Sequence, residues 1–319
     1  MLHIVFSNVY VDFFSKWKRL FKIHPKINIM KRIDFLKKSI VSGFAALTAP
    51  FIFKFSNAES STYNKLIKKV GFNHLPNNEI YTESSVLHKA NTRGNVNHGW
   101  LKANHTFSFA NYHNPNRMNF GVLRVLNDDI IAGGKGFGTH PHDNMEIITI
   151  PLEGDLKHQD NMGNGTIIKN GDVQVMSAGT GITHSEFNAN NHKEVKLLQI
   201  WLFPNKRNVK PRYDQLSLQS IKKKDTFYQI LSPNINDSGV WIHQNAWFSL
   251  GDFTTKNNIN YKLNLPNNGV YAFVIEGKAT IQNQNLNRRD GFGIWNTKSI
   301  NIQVENGSKI LLMEVPMSI

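Results

Sequence analysis

Two corners of the sequence carry the same punctuation. Glu153-Gly154 closes an apolar run and opens a polar strand, and Glu276-Gly277 does the same at a separation of 123 residues. After the first corner, an Asn/Gly turn leads to Gly171-Asp172 and another apolar strand. After the second, Asp290-Gly291 precedes Phe292-Gly293-Ile294-Trp295. From about residue 85 onward the chain shows little helical periodicity. Its apolar runs are short, as in Glu146–Leu152, Thr166–Ile168, Val173–Met176, Val195–Phe203, Val270–Ile275, Ala279–Gln282, Ser299–Val304 and Lys309–Val315. Short strands at even spacing predict a sandwich or barrel, and a repeated plan implies a duplicated domain. At 319 residues the chain is long enough for two. The expected class is all-β, with two barrels in one chain.

The first half carries something the second lacks. Thr139-His140-Pro141-His142 and Thr183-His184-Ser185-Glu186 each follow a glycine-rich turn beside a strand-like run. Residues i and i+2 of an extended segment point to one face. His140 and His142 can therefore aim two imidazoles at one point, and His184 and Glu186 can add a third and a carboxylate. Three nitrogens and one oxygen suit a divalent transition metal with positions left open. A lone His-x-His is weak evidence, since exposed or core histidines are common, but two pairs in matching contexts favour ligands. No His-x-His precedes Glu276-Gly277, and His243 is the only histidine after residue 211. The second barrel is therefore expected to be metal-free, walling the first site.

The net charge of +14 resembles a nucleic-acid signal until it is located. Residues 1–58 hold ten Lys/Arg and two Asp, so most of the excess lies there. No nucleic-acid-binding motif accompanies the rest, and nucleic acid is not an expected partner. From Met30, Lys31-Arg32 and Lys37-Lys38 precede an uncharged stretch from Ser39 to Phe53, then Ser56-Asn57-Ala58. This order reads as a signal peptide starting at Met30. Its uncharged stretch is short for a membrane span and holds Pro50. Arg32-Ile33-Asp34-Phe35-Leu36-Lys37 is similar to a twin-arginine signal whose second arginine has become Ile33. Residues 1–29, if translated, form a basic amphipathic helix suited to a membrane surface; otherwise they lie upstream of the start. The expected product is exported to the periplasm, touching membrane only through its leader, and is cytoplasmic if the leader is not functional. The expected division is leader 1–58, linker 59–83, metal-binding barrel 84–210 and metal-free barrel 211–319.

Several of these segments together resemble the pirins. They are Asn97-His98-Gly99-Trp100, Thr106-Phe107-Ser108-Phe109, Gly136-Phe137-Gly138-Thr139-His140-Pro141-His142 with Asp143–Thr149, and Met176-Ser177-Ala178-Gly179-Thr180-Gly181-Ile182-Thr183-His184-Ser185-Glu186-Phe187-Asn188. Pro204-Asn205-Lys206-Arg207 and Pro211-Arg212-Tyr213-Asp214-Gln215 are similar to the shorter bacterial pirins with quercetinase activity. The resemblance spans roughly residues 84 to 316. It implies two cupin (jelly-roll) barrels and a metal, usually iron(II) though other divalent ions are accepted. It places that metal on His140, His142, His184 and Glu186, in a chain expected to be monomeric. It also implies quercetin 2,3-dioxygenase chemistry on a flavonol or similar enediol with O2, Glu186 serving as base. The alternative is a non-enzymatic, redox-responsive binding or regulatory cupin, as in the animal member that partners transcription factors. The leader departs from the mostly intracellular family and makes a transcriptional role doubtful.

Two glutamates compete as fourth ligand. The general cupin pattern points to Glu146 and the pirin pattern to Glu186, which leaves Glu146 to hydrogen-bond a ligand imidazole or to play a structural part. His98, His105, His113 and His158 are read as ordinary loop or buried histidines, with His98 and His105 candidates for the pocket rim. Phe107, Phe109 and Phe137 are read as core, with pocket lining as the second choice.

Overall fold

The computed structural model describes residues 83–319. The leader, the signal-peptide segment and the linker, apart from Glu83, lie outside the described residues. The first half runs through β1 (Ser84–His88), β2 (Gly94–Asn97), β3 (Leu101–His105), β4 (Leu123–Ile131), β5 (Gly136–His142), β6 (Glu146–Glu153), β7 (Leu156–Asp160), β8 (Gly165–Ile168), β9 (Asp172–Ser177), β10 (Ile182–Asn188), β11 (Val195–Leu202) and β12 (Arg212–Ser217). The second runs through β13 (Phe227–Ser232), β14 (Val240–Trp241), β15 (Trp247–Phe253), β16 (Asn257–Lys262), β17 (Asn268–Glu276), β18 (Lys278–Ile281), β19 (Gln284–Asn287), β20 (Gly291–Trp295), β21 (Ser299–Val304) and β22 (Ser308–Pro316).

Each half makes a seven-stranded and a four-stranded sheet. In the first they are β12-β9-β6-β11-β4-β3-β2 and β5-β10-β7-β8; in the second, β1-β20-β17-β22-β15-β13-β14 and β16-β21-β18-β19. The halves correspond strand for strand, β5 through β11 matching β16 through β22. Gly154 and Gly277 occupy the equivalent corners with φ of +71° and +77°, a left-handed conformation that glycine adopts without Cβ conflict. The boundary expected between residues 210 and 211 falls just before β12, which pairs with β9 of the first barrel. At the other end β1 pairs with β20 of the second. The barrels thus share strands across that boundary.

The two large sheets meet in one core cluster. Ile148, Ile150, Val175, Leu198 and Ile200 come from the first, and Phe248, Tyr271, Phe273, Leu311 and Met313 from the second. Full burial of an aliphatic or aromatic side chain is worth ~1.5–3 kcal/mol, so this seam is a major source of stability. The alternate residues of the same strands face the first lumen: Ile147 packs with Met176, Ala178 and Ile182, and Thr149 and Gln199 meet Glu186. Strands buried on both faces read as nearly unbroken apolar runs, which is why 146–152 and 195–203 show no period of two. The second lumen is filled with side chains. Ile300 and Ile302 of β21 are fully buried with Val270, Phe292 and Leu312, and Ile259 and Tyr261 of β16 pack against them.

Candidate metal centre

The first lumen collects imidazoles through the pairing of β5 with β10. His184 lies opposite His140, and Ile182 opposite His142. A β-bulge between His184 and Glu186 shifts the register before Glu186 meets Phe137. Bulges re-aim side chains next to functional sites. The ring centroids of His140, His142 and His184 stand 4.4–4.9 Å apart. One donor nitrogen from each falls within 4.8 Å of the others, close enough for small side-chain movements to bring all three onto one ion at about 2.1 Å.

The chemistry of these donors fits a divalent metal. His140 places Nδ1 2.8 Å from the Gly138 carbonyl, so Nδ1 donates and Nε2 keeps its lone pair. Burial, then the neighbouring His140, lowers the His142 pKa to about 4, against the pull of Asp143. Burial followed by His140, His142 and His158 lowers that of His184 to about 3, with Asp160 opposing. Both rings are therefore neutral at pH 7 and able to ligate. His184 is 2% exposed, and neither of its ring nitrogens has a hydrogen-bond partner among the described residues. A buried imidazole unpaired at both ends is costly, and a cation relieves it.

Glu186 is buried beside this cluster. Gln199 Nε2 donates to both its oxygens, at 3.2 and 3.0 Å. The Thr149 hydroxyl donates to the Gln199 carbonyl oxygen at 3.0 Å, completing a small network. Burial pushes the Glu186 carboxyl above its ordinary range, against the pull of Gln199, His158, His140 and Thr149. Nearby, Asp129 of β4 is almost fully buried, and its pKa is pushed up to about 8 by burial, Asp128 and Glu186. The wall is aromatic: Trp201 stands edge-on to His142 at 4.8 Å, and Phe109 edge-on to Trp201 at 5.2 Å.

Other sequence candidates fall elsewhere. Glu146 is buried but turns away from the imidazoles and accepts from the Ser177 hydroxyl at 2.7 Å. Of the two parts expected of it, hydrogen-bonding a ligand imidazole is not seen, and its contacts with Ser177 and the His243 backbone are structural ones at the seam. The turn through Asn144, at φ 45°, resets the chain between His142 and β6, and Ile147 rather than Glu146 enters the lumen. His98 and His113 are exposed. His105 is buried against Asn127 at 2.8 Å, and Phe107 belongs to the intersheet core. Phe109 lines the lumen, and Phe137 packs on Trp100 near His140.

Sequence reasoning missed four residues at the centre. Gln199 and Asp129 were visible as polar residues inside the apolar runs of β11 and β4, and Thr149 as the polar residue of β6. His158 had a weaker signal, sharing a strand face with Asp160 at the i+2 step. The structure brings donor atoms of His158, His184 and Glu186 within 4.8 Å of one another.

Comparison with known proteins bears on this geometry. Residues 86–202 match the Pirin family model, and residues 229–315 match that of the quercetinase C-terminal cupin domain. The chain is 42% identical over 234 residues to quercetin 2,3-dioxygenase of Escherichia coli K12, covering 72% of this chain and 98% of that protein. It is 37% identical over 227 residues to a pirin-like protein of Caulobacter vibrioides, covering 69% and 95% respectively. Among solved structures, a bacterial pirin of Escherichia coli in complex with nickel(II) superposes with a TM-score of 0.69 at 40% identity, over 73% of this chain and 99% of that one.

Proposed function

This chain belongs to the pirin family, and from that premise we propose that it is a metal-dependent dioxygenase cleaving flavonols of the quercetin type. The observation that carries the reading is His184, buried and unpaired at both ring nitrogens, which belongs both to a group with His140 and His142 and to one with His158 and Glu186. In this proposal His140, His142, His184 and Glu186 hold one divalent metal. Iron(II) is the ion we assign, as the resemblance to the pirins implies; three imidazoles and a carboxylate suit divalent transition metals more broadly. The enzyme acts as a monomer outside the cytoplasm, once its leader is removed.

When bound, the metal supplies a Lewis-acidic position at which a flavonol's 3-hydroxyl and 4-carbonyl oxygens and O2 can be activated. The protein does the rest. Glu186, aimed by Gln199, accepts the proton of the 3-hydroxyl at a carboxylate oxygen. Trp201 and Phe109 present flat apolar walls to an aromatic ring. The Trp201 indole N–H is buried and unpaired among the described residues, which makes it a donor for a substrate oxygen. The flavonol anion takes up one O2 across C2 and C4, the C2–C3, C3–C4 and O–O bonds break, and C3 leaves as carbon monoxide with the oxygen of the former 3-hydroxyl, while the ester product keeps both atoms of O2. Loading the protein anaerobically with iron(II), then measuring O2 uptake and carbon monoxide release with quercetin, tests the proposal. Equal molar amounts of each are expected. Metal-saturated protein without turnover would return the site to the binding or regulatory alternative.

A further inference from the structure

The segment 205–211, between β11 and β12, holds the two turns that carry the metal ligands. The Asn208 backbone N–H donates to the Asn144 amide oxygen at 2.7 Å, and the Asn144 amide donates back to Asn208 at 3.2 Å. Asn144 follows His142 by two residues. The Val209 carbonyl accepts the backbone N–H of Thr180, and the Gly179 carbonyl accepts that of Asn144, both at 2.9 Å. Gly179 and Thr180 form the turn before His184, and a Cβ on Gly179 would collide with the Val209 carbonyl.

The same segment lines an open groove of about 630 Å³, shared with Trp241 and His243 of the second barrel. Asn205 ties it there by donating its N–H to the His243 carbonyl at 2.7 Å. Lys206, Lys210 and Arg212 line the groove, and no acidic residue does. Arg212 is already committed. It lies over the Trp241 ring at 3.9 Å and donates to the Trp241 carbonyl at 2.6 Å and to Asp214 at 2.8 Å. Lys206 and Lys210 are exposed, and neither has an ion pair or side-chain hydrogen bond among the described residues. Trp241 and His243 stand edge to face, their ring centroids 4.9 Å apart at 80°. Uncompensated cations beside aromatic surface suit an aromatic anion, the charges attracting it and the rings supplying contact area.

The cleavage proposed above makes such an anion. A flavonol has no carboxylate. When O2 adds across C2 and C4 and the heterocycle opens, C4 becomes a carboxylate on one ring of the ester product. We propose that this groove binds an aromatic carboxylate, the ester product of flavonol cleavage, after it leaves the lumen. Lys206 and Lys210 take the carboxylate, and Trp241 with His243 takes a ring. A neutral flavonol gains nothing from the two ammonium groups, so the groove separates product from substrate by charge. The choice of ligand rests on the dioxygenase reading.

The test is calorimetric titration of the full chain, with and without its metal, using synthetic quercetin product and its uncharged methyl ester. The carboxylate should bind saturably and more tightly than the ester, and should weaken as salt is added. Combining Lys206→Gln with Lys210→Gln should weaken carboxylate binding by about 2–30-fold, the worth of two exposed charge contacts, and leave ester binding and metal content unchanged. The Trp241 indole N–H resonance, assigned by its loss in Trp241→Phe, should shift along the same titration. Equal affinity for carboxylate and ester overturns the proposal, as does a double variant that binds the carboxylate like wild type. Binding that disappears with the metal overturns it too, because the carboxylate would then sit in the lumen. Binding at the groove of a protein that turns over no flavonol keeps the site and brings down the dioxygenase reading instead.

Discussion

Gln199 grips Glu186 by both carboxylate oxygens, at 3.2 and 3.0 Å, from a strand whose alternate residues build the seam between the barrels. The carboxylate is thus aimed by a side chain that is itself anchored by Thr149. Gln199→Leu keeps the volume and removes both donors. Loss of a side chain supporting a ligand typically costs 10–100-fold in metal affinity or activity. The variant should lose metal affinity by about that factor, read by chelator competition. Affinity equal to wild type would mean that Glu186 is aimed by something else.

Glu146 supplies a pH test at the seam. Burial is the largest influence on its carboxyl and raises the pKa from 4.5 to about 7, with Ser177, the His243 backbone and Arg212 pulling the other way. An acid raised on folding binds its proton more tightly in the native state. Stability is therefore lost as pH rises from the unfolded value through the folded one, here from about 4.5 to about 7. Each pKa unit is ~1.4 kcal/mol, so the whole loss is about 3.5 kcal/mol at most. Glu146→Gln cannot ionise. Relative to wild type it should gain stability as pH rises from about 4.5 to about 7 and level off above that, measured by denaturant unfolding at each pH, while keeping its metal. A stability difference that does not change with pH would show that Glu146 does not titrate there.

Much of this architecture was legible in the sequence because duplication repeats its corners. Gly154 and Gly277 announce equivalent turns, and the His140–His142 and His184–Glu186 steps announce a shared face. What was hidden came from the barrels packing on each other. The strands of the seam are buried on both sides, so the alternation that would have marked Thr149 and Gln199 as lumen residues was masked by Ile148, Leu198 and Ile200. Strand exchange was hidden too. Nothing local in Ser84–His88 or Arg212–Ser217 says which barrel supplies the partner strand. The turn at Asn144 breaks the extension from His142, so Glu146 does not share the face of the imidazoles.

The leader makes a prediction of its own. Its basic, apolar and small-residue segments between Met30 and Ala58 follow the order of an exported protein. The mature chain from the native host should begin after Ala58, read by N-terminal sequencing. A mature start before Met30 in a cytoplasmic fraction would overturn the export reading.

Glu186 should matter for more than holding the metal. Three histidines bound through their lone pairs to a metal cannot take a proton from a substrate hydroxyl, whereas a neighbouring carboxylate can. Gln199 fixes where Glu186 points. Glu186→Gln keeps the shape and removes the base. General-base assistance is typically worth ~10²–10⁴-fold, so the variant, reloaded to full metal occupancy, should lose turnover by about that factor while still binding flavonol. Oxygen uptake and carbon monoxide release, normalised to measured metal content, separate lost chemistry from lost metal. A fully loaded variant as active as wild type would keep the dioxygenase and remove Glu186 as its base, leaving the proton to water.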